Sequence, residues 1–180
     1  MKVFDTSGYI AKLYAGTFNR EDFLCDAKAC GAEELHVDTR FFPERAMYWT
    51  RMLRNAASQQ GMELSTLLLE SELIAGVDTV EAQRANLSEW IRIAALSKIR
   101  NLKIRVNGRA GMNDAWSMLA QALHPLVAIA RQYGTTLILT DGSARLGDNQ
   151  LIRAAKALGY ANCRISPAQT LSGTALHWVE

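Results

Sequence analysis

The chain alternates between short runs of closely spaced apolar residues and longer stretches whose apolar positions recur at helical spacing, most of them ending at a glycine. A β-type run, a polar connection, an amphipathic helix and a glycine stop, repeated about five times, predict successive βα units on a parallel sheet. Lys2–Asp5 reads as the first strand, alone or extended by a second apolar stretch, Tyr9–Tyr14, whose role the sequence leaves open. Asn19 is suited to cap a helix from Arg20 to Cys30, with Glu21 and Asp22 in the first turn, where carboxylates favour the dipole, and Gly31 beyond the end. Glu34–Asp38 is the second strand. The helix after it spans Glu44–Gln60, burying Met47, Trp49 or Tyr48, Met52, Leu53 and Ala56, and Gly61 closes it.

The third strand, Glu63–Leu69, is apolar enough for burial on both faces. Asp78 or Thr79 caps a helix through Ser97 that turns Val80, Ala85, Leu87, Trp90, Ile91, Ala94 and Ala95 inward. Asn101–Val106 is the fourth strand. Asn113 caps a helix from Asp114 to Tyr133, in which Pro125 removes a backbone donor and predicts a kink. Thr135–Leu139, a helix over Asp148–Leu158, and Asn162–Ser166 complete the pattern. Parallel strands joined by helices take right-handed crossovers, which lay them side by side in one curling sheet. A closed eight-stranded barrel takes roughly 250 residues. The expected fold is therefore α/β: a partial TIM-type (β/α) barrel, one domain over 1–180, with about six parallel strands and about five helices, not closed by one chain.

Composition narrows the setting. Hydrophobic residues at 49% and charged residues at 21% belong to a globular chain rather than a disordered one. Twenty Lys plus Arg against eighteen Asp plus Glu leave a net charge of +2, too weak a field to imply nucleic acid or an anionic membrane. Arg100, Arg105, Arg109, Arg145, Arg153 and Arg164 form no sequence cluster and have no aromatics interleaved for base stacking. Without a signal-type apolar run or a stretch of about 18 apolar residues, a cytoplasmic protein is expected. Cys25, Cys30 and Cys163 are odd in number and lack CxxC spacing, so they read as reduced core thiols.

The segment from Ala75 to Gly108, with Arg84, Trp90-Ile91, Ala94 and Arg105-Val106 ahead of Gly108, resembles the third helix and fourth strand of xylose-isomerase-like TIM barrels, the sugar phosphate isomerase/epimerase family. Phe23-Leu24, Ala27, Gly31 and His36-Val37-Asp38 are similar to that family's first helix and second strand, and His124-Pro125-Leu126 through Leu139 to its fourth helix and fifth strand. The resemblance covers about residues 3 to 168 and implies a site at the carboxyl ends of the strands. It also implies a divalent metal held by carboxylates and a His, with two carboxylates moving protons between neighbouring carbons. The family's strand-five Glu falls on Thr140 and its strand-six Asp on Ala168, so the ligand set is missing where a hydroxyl and a methyl cannot hold Mg²⁺ or Mn²⁺. Strands seven and eight are absent, which reads as an incomplete C-terminus. Asp141 is a poor substitute for the strand-five Glu, because adjacent strand residues point to opposite faces.

Strand ends directed at a common mouth offer His36, Asp38, Arg40, Glu70, Glu72, Arg105, Asn107 and Asp141. One reading is a remnant pocket for a polyol or phosphorylated sugar, with Arg105 or Arg40 meeting an anion; the plain reading is that these charges pair with one another and face water. His36 is readable as a ligand or a base, but a lone His inside a strand reads first as a satisfied core or rim residue; His124 reads as structural or surface, and His177 lies in a tail, Thr174–Glu180, readable as a short helix. No GxSxG elbow frames a serine, and Gly108–Gly111 lacks both the Lys-Ser/Thr of a P-loop and the third glycine of a dinucleotide turn. A zinc-dependent DNA-repair barrel of the endonuclease-IV type would need more His, Asp and Glu ligands than three scattered histidines allow. Two functions compete. The first is a degenerate, non-catalytic barrel with no resident metal that binds a small carbohydrate or a partner. The second is an isomerase/epimerase whose Mn or Mg site is completed by a second copy or a partner chain. Exposed edge strands favour a homodimer or a covering partner under either.

Overall fold

Alternation along the strands decides which face each side chain takes. The computed structural model describes residues 2–42, 46–74, 80–108, 114–142, 146–159 and 162–166. Its strands are β1 (Val3–Asp5), β2 (Glu34–Asp38), β3 (Glu63–Ser71), β4 (Asn101–Val106), β5 (Thr136–Asp141) and β6 (Cys163–Ile165). All pair in parallel, in the order of the sequence. Helices α1 (Ile10–Tyr14), α2 (Arg20–Ala29), α3 (Ala46–Gln59), α4 (Val80–Leu96), α5 (Ala115–Tyr133) and α6 (Asp148–Leu158) connect them. Among the described residues β1 pairs only with β2 and β6 only with β5, so the sheet is not closed. The architecture is a partial TIM barrel, and the Tyr9–Tyr14 stretch does not extend β1: Tyr9 ends a 3-10 turn, Thr6–Tyr9, that leads directly into α1.

Leu35, Val37, Leu102, Ile104, Val106, Leu137 and Leu139 are fully buried and share one hydrophobic cluster with Phe23, Leu87, Ile91, Leu123, Val127 and Leu151 of the helices. Alternate residues of the same strands face the concave side. Left-handed Gly134 and Gly159, at φ 68° and 61°, end α5 and α6, a conformation a Cβ would strain.

Three expectations are corrected. In α3 the buried face is Thr50, Leu53 and Ala57, while Tyr48 and Met52 lie exposed, because the apolar stripe and the packed stripe of this helix are offset. Ala85 of α4 is likewise exposed. Cys25 and Cys30 are exposed rather than core thiols: α2 turns Phe23, Leu24 and Ala27 inward, which rotates both cysteines outward. Cys163 is half-buried, and burial pushes its thiol up to about 12. The expected helix caps Asp78, Thr79 and Asn113 lie outside the described residues.

Helix α5 continues through Pro125, which cannot donate to the carbonyl of Gln121 four residues back. Arg84 of α4 takes over: its Nη2 donates to the Gln121 oxygen and its Nε to the Ala122 oxygen, both at 3.1 Å. The guanidinium thus locks α4 to α5 through a carbonyl that the proline leaves free. Arg84→Met should cost about 1–2 kcal/mol of unfolding free energy, and less in a Pro125→Ala background, where the restored N–H takes that carbonyl. Equal losses in both backgrounds, measured by urea denaturation, would contradict the coupling.

Candidate functional site

Register sorts the concave side chains into rows. Asp5, His36, Thr66, Asn101 and Thr136 form the lowest, Asp38, Leu68, Lys103, Ile138 and Arg164 the next, and Glu70, Arg105 and Thr140 the row at the carboxyl ends. A closed barrel fills such rows with branched apolar side chains. Here they carry charge, acidic toward β1 and β2 and basic toward β4 and β6.

The mouth is an ion-pair chain across β2, β3 and β4. Asp38, only 2% exposed, receives Arg40 in a fork: Nε donates to Oδ1 at 2.9 Å and Nη2 to Oδ2 at 2.6 Å. The Arg40 backbone N–H also donates to Oδ1, and Thr6 Oγ1 accepts the Asp38 N–H, each at 2.9 Å. This bonding raises the Arg40 pKa further above its ordinary value. Arg40 Nη2 continues to Glu70 Oε1 at 3.4 Å, and Arg105 Nη1 reaches the same oxygen at 3.7 Å. Asp38, Arg40, Glu70 and Arg105 therefore form one neutral network. Asn107 follows β4, its N–H donating to the Ser71 oxygen, and packs over Gly142 so closely that a Cβ there would sit 2.5 Å from its Oδ1. Glu72, one residue past β3, is exposed and outside the network.

His36 stands lower, its Nε2 3.8 Å from Glu34 Oε2, which also accepts the Ser65 hydroxyl at 2.7 Å. Burial first, then the charge of Lys103, lowers the His36 pKa, against the pull of Glu34 and Asp5. Lys103 was not singled out by sequence, although period two from Arg105 and Asn107 puts it on their face. Burial and Arg105 lower its pKa.

Asp141 faces the other side. It pairs in register with buried Val106, and its Oδ2 accepts the backbone N–H groups of Leu146 and Gly147 at 2.9 Å, so it caps the loop after β5 and stands apart from the mouth. Thr140 does face the concave side, 7% exposed and in register with Arg105. Ala168 lies outside the described residues. Among the described residues no three His, Cys, Asp or Glu side chains converge as a metal site. Asp38 and Glu70 are committed to guanidinium groups, so the donors described do not fit a divalent ion. A separate open hollow of about 540 Å³ on the outer face of α3 is lined by Met47, Tyr48, Arg51 and Met52. No described helix is long and apolar enough to cross a membrane.

No protein-family model matches the chain, and no curated protein matches it in sequence. Solved structures do match its fold. The probable 3-DHS dehydratase AsbF from Bacillus anthracis superposes with a TM-score of 0.70 at 12% identity, over 93% of this chain and 62% of that one. An L-ribulose 3-epimerase gives 0.68 at 15% identity, over 92% and 59%. A xylose isomerase-like TIM barrel protein from Mycobacterium smegmatis, in complex with magnesium, gives 0.61 at 12%, over 81% and 54%. The chain thus has the fold of xylose-isomerase-like TIM barrels and spans less than two thirds of the length of these structures.

The lowered His36 pKa has a signed consequence. The unfolded chain binds the extra proton first as pH falls through the ordinary histidine value near 6.5, so stability drops on acidification below it. His36→Gln should lose less melting temperature between pH 7.5 and 5.5 than the parent; equal losses would place the acid sensitivity in other groups.

Proposed function

We propose that this chain is a ligand-binding relative of the sugar isomerase/epimerase barrels, which holds a small polyhydroxylated or phosphorylated carbohydrate at the carboxyl ends of β2, β3 and β4 and does not perform metal-dependent isomerisation. The observation that carries the reading is the network of Asp38, Arg40, Glu70 and Arg105 there, facing the same side as Thr140. Carboxylates and guanidinium groups at one strand-end surface accept and donate to neighbouring hydroxyls, and an arginine sharing one carboxylate oxygen retains donors for a phosphate. Asn107, beside Arg105, adds an amide. Proton transfer between neighbouring carbons needs an electrophile to polarise the carbonyl, and the two mouth carboxylates of the network, Asp38 and Glu70, are paired with arginines.

A second reading is an isomerase completed by assembly, as a homodimer or with a partner chain. It is supported by the two unpaired sheet edges, β1 and β6, and by the separation of charge across the concave face. A two-fold axis along the strands would set the acidic β1–β2 side of one copy against the basic β4–β6 side of the other.

Thermal shift with a ketose phosphate separates the two. The binding reading expects a saturable rise in melting temperature, indifferent to Mn²⁺, and at least tenfold weaker binding in Arg105→Met, the loss of one charge-assisted contact. A rise produced by Mn²⁺ together with a stable dimer would favour the assembled isomerase, and no response to the sugar phosphate would remove the binding reading.

A further inference from the structure

We propose that Lys103 is an imine-forming residue, whose Nζ condenses with the carbonyl of a small hydroxy-aldehyde or hydroxy-ketone admitted to the concave face. The proposal rests on the ligand-binding reading of that face and adds covalent chemistry to it.

Three observations meet at this amine. Of the six lysines in the chain, five are exposed and Lys103 alone is half-buried. It lies mid-strand in β4, between Leu68 of β3 and Ile138 of β5 in the same row, so apolar neighbours displace water on both flanks. Among the described residues its amine forms no ion pair, although the surface around it is rich in carboxylates. The charged and titratable groups on this face are Asp5 of β1, Glu34, His36 and Asp38 of β2, Glu70 of β3, Arg105 of β4 and Arg164 of β6. Asp38 is turned to Arg40, Glu34 to Ser65 and His36, and Glu70 to Arg40 and Arg105, which leaves distant Asp5 as the acidic influence on Lys103. Desolvation and an adjacent cation are the two means by which a lysine gains the neutral form that attacks carbonyls.

The step balances without an added redox partner. The nitrogen lone pair forms a bond to the carbonyl carbon while the carbonyl π pair goes to oxygen, which takes one proton from solvent and a second from the nitrogen. The carbinolamine then expels that oxygen as water, leaving an iminium between Lys103 and the former carbonyl carbon; loss of its nitrogen proton gives the neutral imine. Arg105, one row nearer the mouth, is placed to meet an anionic group on the same molecule.

The test uses the full chain with dihydroxyacetone phosphate and sodium cyanoborohydride, which delivers hydride to an iminium and fixes it as a secondary amine. Peptide mapping by mass spectrometry should find Lys103 modified at least tenfold faster than the mean of the other five lysines, with the rate levelling off at a lower pH than theirs. Lys103→Arg and Lys103→Met should lose the adduct. Labelling spread over the exposed lysines without preference for Lys103 would overturn the proposal. Glycerol 3-phosphate, which has the anion but no carbonyl, separates the two failures. If it raises the melting temperature while Lys103 shows no preference, the imine falls and the binding reading stands; if it does not bind and Lys103 shows no preference, both fall.

Discussion

The structure depends on a parallel sheet that packs one face of its strands against helices, as the described residues show. Period two then assigns each strand two environments: Leu102, Ile104 and Val106 disappear beneath α4 and α5, while Asn101, Lys103 and Arg105 of the same strand face the concave side. Parallel sheets are usually covered on both faces, and barrel interiors are usually apolar. In this chain the concave rows carry Asp5, His36, Asp38, Lys103, Glu70 and Arg105 instead, so the same alternation that builds the core also builds a polar surface.

That surface settles its charges locally. Asp38 is nearly inaccessible and takes a two-point contact from Arg40, which shares Glu70 with Arg105. A buried carboxylate without such a partner would be strongly destabilising, so the arrangement of β2 through β4 at the mouth depends on this pairing. The same commitment makes these carboxylates unsuitable for a divalent ion, and Thr140 supplies no carboxylate beside them. The proposed ligand recognition would draw on the hydroxyl, amide and guanidinium groups at this end of the sheet.

Much of this was legible in the sequence. Glu34–Asp38, Asn101–Val106 and Asp148–Leu158 have the expected bounds, since their apolar periods and flanking glycines agree. Asp38, Arg40, Glu70 and Arg105 were legible as strand-end residues, but their linkage requires the register. In α3 two stripes have helical spacing, and hydrophobicity alone groups Met47 and Met52 with Leu53 and passes over the Thr50 and Ala57 that pack beside Leu53. Asp141 looks like a site residue by type and turns away by parity. The tie from Arg84 to the carbonyl freed by Pro125 joins residues 37 apart at Gln121, which no local pattern encodes.

The proposed function requires that a carbohydrate bind the concave strand ends and not another surface. Backbone amide chemical shifts, followed by NMR as a ketose phosphate is added, test it most directly. Saturable shifts centred on Arg40, Glu70, Arg105 and Asn107 are expected. Shifts centred on Tyr48, Arg51 and Met52 of the outer α3 hollow, or none at saturating ligand, would contradict it.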